Sequence, residues 1–248
     1  MNDRFQRIRH SQRARQAIPN LLTLGNLVSG ALALGVILNE GPMWQAFALI
    51  FVALLCDLFD GRAARALGTD GPMGAQLDSL ADLISFGLVP AAALYTWSLS
   101  SMGALGVVVC CAWVAAAAWR LARFTVAALL PPEREATEHS PGPASFQGLP
   151  VPIPAAIVLG AAGAELALSP LLVALVAFAL AGLMVSTVPF RSFKDGSLAP
   201  FMLPVLLVAV ACVLSTGSLL TGVGCAVVVT GITFVSGGAL DALSSRAR

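Results

Sequence analysis

The chain reads Asp57-Leu58-Phe59-Asp60-Gly61-Arg62-Ala63-Ala64-Arg65, then eight residues, then Gly74-Ala75-Gln76-Leu77-Asp78-Ser79-Leu80-Ala81-Asp82. Asp57 and Asp60 are three apart and Asp78 and Asp82 four apart, so each pair falls on one face of its own helix. A short turn between the helices brings all four carboxylates together. Acids at the end of a membrane helix are costly to keep charged unless something pairs with them, and Arg62 and Arg65 are too few to neutralise four. A divalent cation does so, and hard oxygen donors, with no histidine nearby and no paired or spaced cysteine pattern, favour Mg²⁺ or Mn²⁺ over zinc. Such ions bridge carboxylates to phosphate oxygens, which points to a substrate that brings phosphates. Gly61 and Gly74 let a ligand approach the backbone, and Arg65 offers a fork for a phosphate oxygen. Asp82, a full turn deeper than Asp78, is the candidate general base. A solvated charge or a helix-dipole partner accounts for any one of these acids, but not for four at these spacings.

The elements that must carry this cluster are membrane helices. Apolar residues make up 58% of the 248 and charged residues 11%, and the mean hydropathy is +0.87, far outside the composition of a soluble domain. A span needs about 20 mostly apolar residues. Eight such stretches are expected, at 19–38, 44–61, 78–98, 103–124, 150–168, 170–189, 198–215 and 217–238. The fold class is therefore an all-α integral membrane bundle. A basic segment (1–17) precedes a transmembrane domain (18–240) and a short tail (241–248). The apolar stretch after the basic start continues through Gly35 to Leu38, so it reads as a first span rather than a cleaved leader. Between the fourth and fifth spans, Pro131 to Pro150 is a polar, proline-rich surface loop. The last four spans read mainly as scaffold.

Positive charges set the orientation. Arg4, Arg7, Arg9, Arg13 and Arg15 precede the first span; Arg62 and Arg65 join the second to the third; Arg120, Arg123 and Arg134 follow the fourth; Arg191 and Lys194 the sixth; Arg246 and Arg248 the eighth. These are all 14 Lys and Arg, and they fall on alternate connections. Both termini and the acid cluster are thus expected at the cytoplasmic face of the cell membrane. A net charge of +1 argues against nucleic acid as a partner. The five cysteines, all in apolar surroundings, imply no disulfide framework.

From Asp57 to Asp82 the chain is similar, position for position, to the signature of the CDP-alcohol phosphatidyltransferases, D-x2-D-G-x2-A-R-x8-G-x3-D-x3-D. The resemblance implies a helical membrane fold, recognition of a cytidine diphosphate, and phosphodiester transfer to an alcohol with release of CMP. It implies that Asp57, Asp60 and Asp78, with a contribution from Asp82, hold divalent metals on the diphosphate. It also implies that Asp82 deprotonates the acceptor, and that Gly61, Ala64, Arg65 and Gly74 line the nucleotide site. Homodimerisation rests on the resemblance alone. Ile18-Pro19-Asn20-Leu21-Leu22-Thr23-Leu24-Gly25-Asn26 and Phe146-Gln147-Gly148-Leu149-Pro150 resemble segments of the family's membrane-spanning phosphatidylserine synthase branch. That branch implies CDP-diacylglycerol as donor and L-serine as acceptor, and so a part in phospholipid biosynthesis. Such synthases carry R-x-N where this chain has Arg123-Phe124-Thr125, a departure that bears on the acceptor and not on the enzyme class.

Asn20, Thr23 and Asn26 share roughly one face of the first span. They either reach the nucleotide and phosphates or make interhelical hydrogen bonds. Arg120 and Arg123 share a face at the cytoplasmic end of the fourth span. One of them pairs with the serine carboxylate, or both are snorkelling anchors. The tryptophans at 44, 97, 113 and 119 read mostly as interfacial, His139 as solvent exposed, and Pro152 and Pro154 as helix-start prolines. Two rival readings are the same chemistry with glycerol 3-phosphate or an inositol phosphate as acceptor, and a divalent-cation transporter, which requires acids spread along the bilayer depth.

Overall fold

A computed structural model describes residues 2–69, 71–129, 146–164, 166–187 and 189–190, together with 227, 228, 230 and 232. Helix α1 (Asn2–Leu38) runs through Pro19 without ending, and its apolar part is Gln16–Leu38. A tight connection, with Glu40 at a positive φ of 53°, leads into α2 (Met43–Leu67). Helix α2 stops where Gly68 turns left-handed (φ 59°) and its N–H returns to the carbonyls of Ala64 and Arg65, an ending that glycine adopts without a steric penalty. Gly71 is extended and Pro72 opens α3 (Pro72–Asp82), proline suiting the first turn because its missing N–H would have no helical partner there.

Helix α3 continues through a π-helical segment (Leu83–Leu88) into α4 (Val89–Trp97). The wide turn begins immediately after Asp82, and Pro90, which has no N–H to return to the preceding turn, sits just beyond it. A 3₁₀ turn (Leu99–Met102) and Gly103 at φ 56° lead to α5 (Ala104–Leu129). Two shorter helices follow, α6 (Pro152–Gly163) and α7 (Pro170–Val185). Two-residue strands β1 (Phe146–Gln147) and β2 (Pro189–Phe190) pair antiparallel, Phe146 opposite Phe190.

Four helical rods are long and apolar enough to cross a membrane: Gln16–Leu38, Met43–Leu67, Pro72–Trp97 and Ala104–Ala127. The third is the central one, with 56% of its most apolar stretch buried against 22–33% in the others. It begins six residues earlier than the sequence suggested, and the second ends six later, so the whole signature except its turn is helical. The fifth and sixth expected spans are helices of 12 and 16 residues, shorter than a perpendicular crossing needs. The fifth is cut back by Pro150 and Pro152 at its start and ends at Gly163. The seventh and eighth expected spans, His139, most of the 131–150 loop and the C-terminal tail lie outside the described residues, apart from the few positions noted above.

Packing follows the pattern of small residues. Helix α1 packs most extensively on α2, antiparallel, and Gly25 approaches so closely that a Cβ there would stand 3.1 Å from Cys56 Sγ. Helix α1 runs parallel to the central rod, where Gly30 faces Ser85 with no room for a side chain. Beyond the acids the core is apolar and extends from Phe86, one turn past Asp82, through Leu94, Leu99 and Trp113.

Candidate active site

The two acid pairs meet where α2 and α3 flank the Gly68–Gly71 turn. One carboxylate oxygen each from Asp57, Asp60 and Asp78 lie within 4.8 Å of one another. Asp78 Oδ1 is buried with no hydrogen-bond partner, as an oxygen reserved for a ligand would be. Three convergent carboxylates with an unused oxygen fit a hard divalent cation. Asp82 lies a turn deeper and is buried, as the sequence suggested.

Helix α1 supplies the donors. Thr23 Oγ1 donates to Asp60 Oδ2 at 2.7 Å, and Asn26 Nδ2 donates to Asp82 Oδ1 at 3.0 Å. Of the two readings left open for this face, the structure supplies interhelical hydrogen bonds, and it aims them at the acids themselves. The Asn26 carbonyl in turn accepts from Ser85 Oγ at 3.1 Å, tying α1 to the π-helical segment. Asn20 lies against the start of α3, where a Cβ on Gly74 would come 3.8 Å from its Oδ1.

Arg65 is exposed and folds back over Gly61, where a Cβ would sit 3.4 Å from its Nη1. Ala64, one turn beyond Asp60, has its carbonyl engaged by the turn, including Thr69 N–H at 3.0 Å. Gly61, Ala64 and Arg65 thus lie on the last turns of α2 and Gly74 on the first turn of α3, on either side of the turn beside the acids.

The two arginines of α5 part company. Arg123 donates from Nη1 to the Val185 carbonyl and from Nη2 to the Ser186 carbonyl, each at 3.0 Å, and so caps the C-terminal end of α7. Gly148, at φ 81°, lies against the same guanidinium and the Met184 and Ser186 carbonyls. Arg120 is 7% exposed and stacks on the Phe124 ring at 5.4 Å. Its Nε has no partner, and its charge interacts with Asp82 and Asp57.

Two contacts were not read from the sequence. Ser79 and Thr125 share a hydroxyl–hydroxyl hydrogen bond, linking α3 to α5 between Asp78 and Asp82, and Thr125 also donates to the Leu121 carbonyl at 2.9 Å. Ser85 is the other. Thr125 stood out only as a departure from a motif; Ser79 and Ser85 carried no signal, since small hydroxyl residues are common in membrane helices.

A family model described as CDP-alcohol phosphatidyltransferase matches residues 16–190, a stretch that runs from the apolar part of α1 to β2. A Bacillus subtilis protein named CDP-diacylglycerol–serine O-phosphatidyltransferase is 31% identical over 177 residues, covering 71% of this chain and 91% of the relative. A Methanocaldococcus jannaschii protein of the same name is 30% identical over 178 residues, covering 72% of this chain and 75% of the relative. For the Mycobacterium tuberculosis protein of that name the identity is 34% over 145 residues, and this chain spans about half of its length (48%). With every fixed position of the signature filled, three of its acids converging and the family model covering residues 16–190, this chain belongs to the CDP-alcohol phosphatidyltransferase family.

Proposed function

We propose that the protein is a multi-pass membrane enzyme that transfers the phosphatidyl group of CDP-diacylglycerol to L-serine, forming phosphatidylserine and CMP at the cytoplasmic face of the cell membrane. The observation that carries the acceptor is the pair of bacterial and archaeal relatives named for serine, each matched over three-quarters of its length or more. The chemistry is supported by three carboxylates gathered at one depth. A cation transporter requires acids along a path.

Asp57, Asp60 and Asp78, with a contribution from Asp82, would hold Mg²⁺ or Mn²⁺, which when bound neutralises charge on the diphosphate as a Lewis acid. Arg65 at the exposed rim binds a phosphate oxygen, and the lipid tails of the donor remain in the bilayer. Asp82, its rotamer held by Asn26, takes the proton of the serine hydroxyl. The serine oxygen forms a bond to the phosphorus that bears diacylglycerol. The bond from that phosphorus to the bridging oxygen breaks, and CMP leaves with the electron pair.

The test is CMP release by the purified protein in detergent with CDP-diacylglycerol and Mn²⁺ or Mg²⁺. L-serine, glycerol 3-phosphate or an inositol phosphate is added in turn. Release is expected to depend on serine and to stop with EDTA. In Asp82→Asn it should fall by about 10²- to 10⁴-fold, the usual worth of a general base. Release with glycerol 3-phosphate or inositol phosphate in place of serine would overturn the acceptor and keep the enzyme class.

A further inference from the structure

Among the described residues, the buried side-chain atoms without a hydrogen-bond partner are Asn26 Oδ1, Asp78 Oδ1, Arg120 Nε and Trp113 Nε1. Three of these four belong to residues at the acid cluster. A buried polar atom left unpaired costs roughly 1–3 kcal/mol, so such atoms gathered at a site mark where a ligand completes the bonding. The Asp78 oxygen is accounted for by a cation. An acceptor on α1 and a donor on α5 remain, and they belong to residues that both act on Asp82. Asn26 is fully buried and donates its Nδ2–H to Asp82 Oδ1 at 3.0 Å. With Asp82 ionised, as a base must be, its oxygens only accept, so Nδ2 faces the carboxylate and Oδ1 is the atom left over. Arg120, also buried, leaves its Nε unpaired and lies within electrostatic range of Asp82 and Asp57.

Resting on the serine reading above, we propose that Asn26 and Arg120 form the acceptor subsite around Asp82. Arg120 Nε donates to the carboxylate of the amino acid, Asn26 Oδ1 accepts from its ammonium group, and Asp82 receives the hydroxyl proton. An α-amino acid bearing a β-hydroxyl carries these three groups on adjacent atoms, and the subsite offers a cationic donor, a neutral acceptor and a base. A dianionic phosphate acceptor is a poorer match. It calls for more than one cation, and Arg123 is held by the Val185 and Ser186 carbonyls at the end of α7.

The experiment compares three acceptors on the full chain with CDP-diacylglycerol and Mn²⁺: L-serine, ethanolamine (no carboxylate) and 3-hydroxypropionate (no ammonium). In the wild type each analogue is expected to have a kcat/KM lower than serine by about tenfold or more, the worth of one charge-assisted hydrogen bond. Arg120→Ala should erase the preference for serine over ethanolamine, and Arg120→Lys should keep part of it. Asn26→Ala should erase the preference for serine over 3-hydroxypropionate. Acceptor ratios are compared at saturating CDP-diacylglycerol and Mn²⁺, because Asn26 also orients Asp82 and its loss is expected to raise the Mn²⁺ requirement. Each preference is a ratio measured on one protein, so a general fall in kcat cancels. Wild-type enzyme that uses serine and the analogues equally, or variants that retain the wild-type preferences, would overturn the subsite alone. Wild-type enzyme that ignores serine and uses another acceptor overturns the serine reading beneath it.

Discussion

Three of the four acids differ in their neighbours. Asp60 accepts from Thr23 and Asp82 from Asn26, while Asp78 keeps one buried oxygen unpaired. Residues that orient metal-binding carboxylates from behind commonly matter nearly as much as the carboxylates. Replacing Thr23 with Val keeps the shape and removes the hydroxyl. The Mn²⁺ concentration for half-maximal CMP release is expected to rise on the order of tenfold, with little change at saturating Mn²⁺. An unchanged Mn²⁺ requirement would mean that Asp60 needs no help from α1.

At the scale of helices, the site depends on how closely α1 and α5 approach the central rod. Gly30 leaves room for Ser85, which sits in the π-helical segment just past Asp82. A methyl group at 30 pushes the two helices apart at the point where Asn26 is anchored. Gly30→Ala is expected to lower thermal stability in detergent by about 1–3 kcal/mol, as overpacking does, and to reduce CMP release. Combining it with Ser85→Ala should recover part of the stability, because the hydroxyl is the nearest obstacle. Arg123 works at the other side of the rod, joining α5 to the end of α7 through two carbonyls. Arg123→Ala should lower the melting temperature through loss of two hydrogen bonds, one exposed and one part-buried, and leave the KM for serine within about twofold. A large rise in that KM would instead place Arg123 among the acceptor contacts.

For the molecule as a whole, the acid cluster lies toward one end of the helical rods, and the 3₁₀ turn after α4 lies at the other. In the proposed orientation, which the basic residues of the sequence favour, the cluster end faces the cytoplasm. Gln76 and Ser100 are exposed at these opposite ends. In a background without the native cysteines, Gln76→Cys should react with a membrane-impermeant maleimide only in inverted vesicles. Ser100→Cys should react from outside intact cells. The reverse pattern would overturn the orientation and with it the supply of CDP-diacylglycerol and serine from the cytoplasm.

Composition, hydropathy and the spacing of Asp57, Asp60, Asp78 and Asp82 were enough to read a membrane helix bundle and a convergent acid cluster, able to hold a cation, at the α2–α3 junction. These are local properties: a period of 3.6 residues places i, i+3 and i+4 on one face whatever surrounds the helix. Helix ends were less legible, because Gly68 and Pro72, rather than loss of hydropathy, terminate and restart the chain. Which arginine stands by the acids and which amide supports Asp82 came only from the folded arrangement. So did the clasp between Gly30 and Ser85. Arg120 and Arg123 are three apart and equivalent as sequence, yet one is buried within electrostatic range of Asp82 and the other caps α7. That difference follows from the rotation and depth at which α5 packs against its neighbours, which side chains from several distant segments set together.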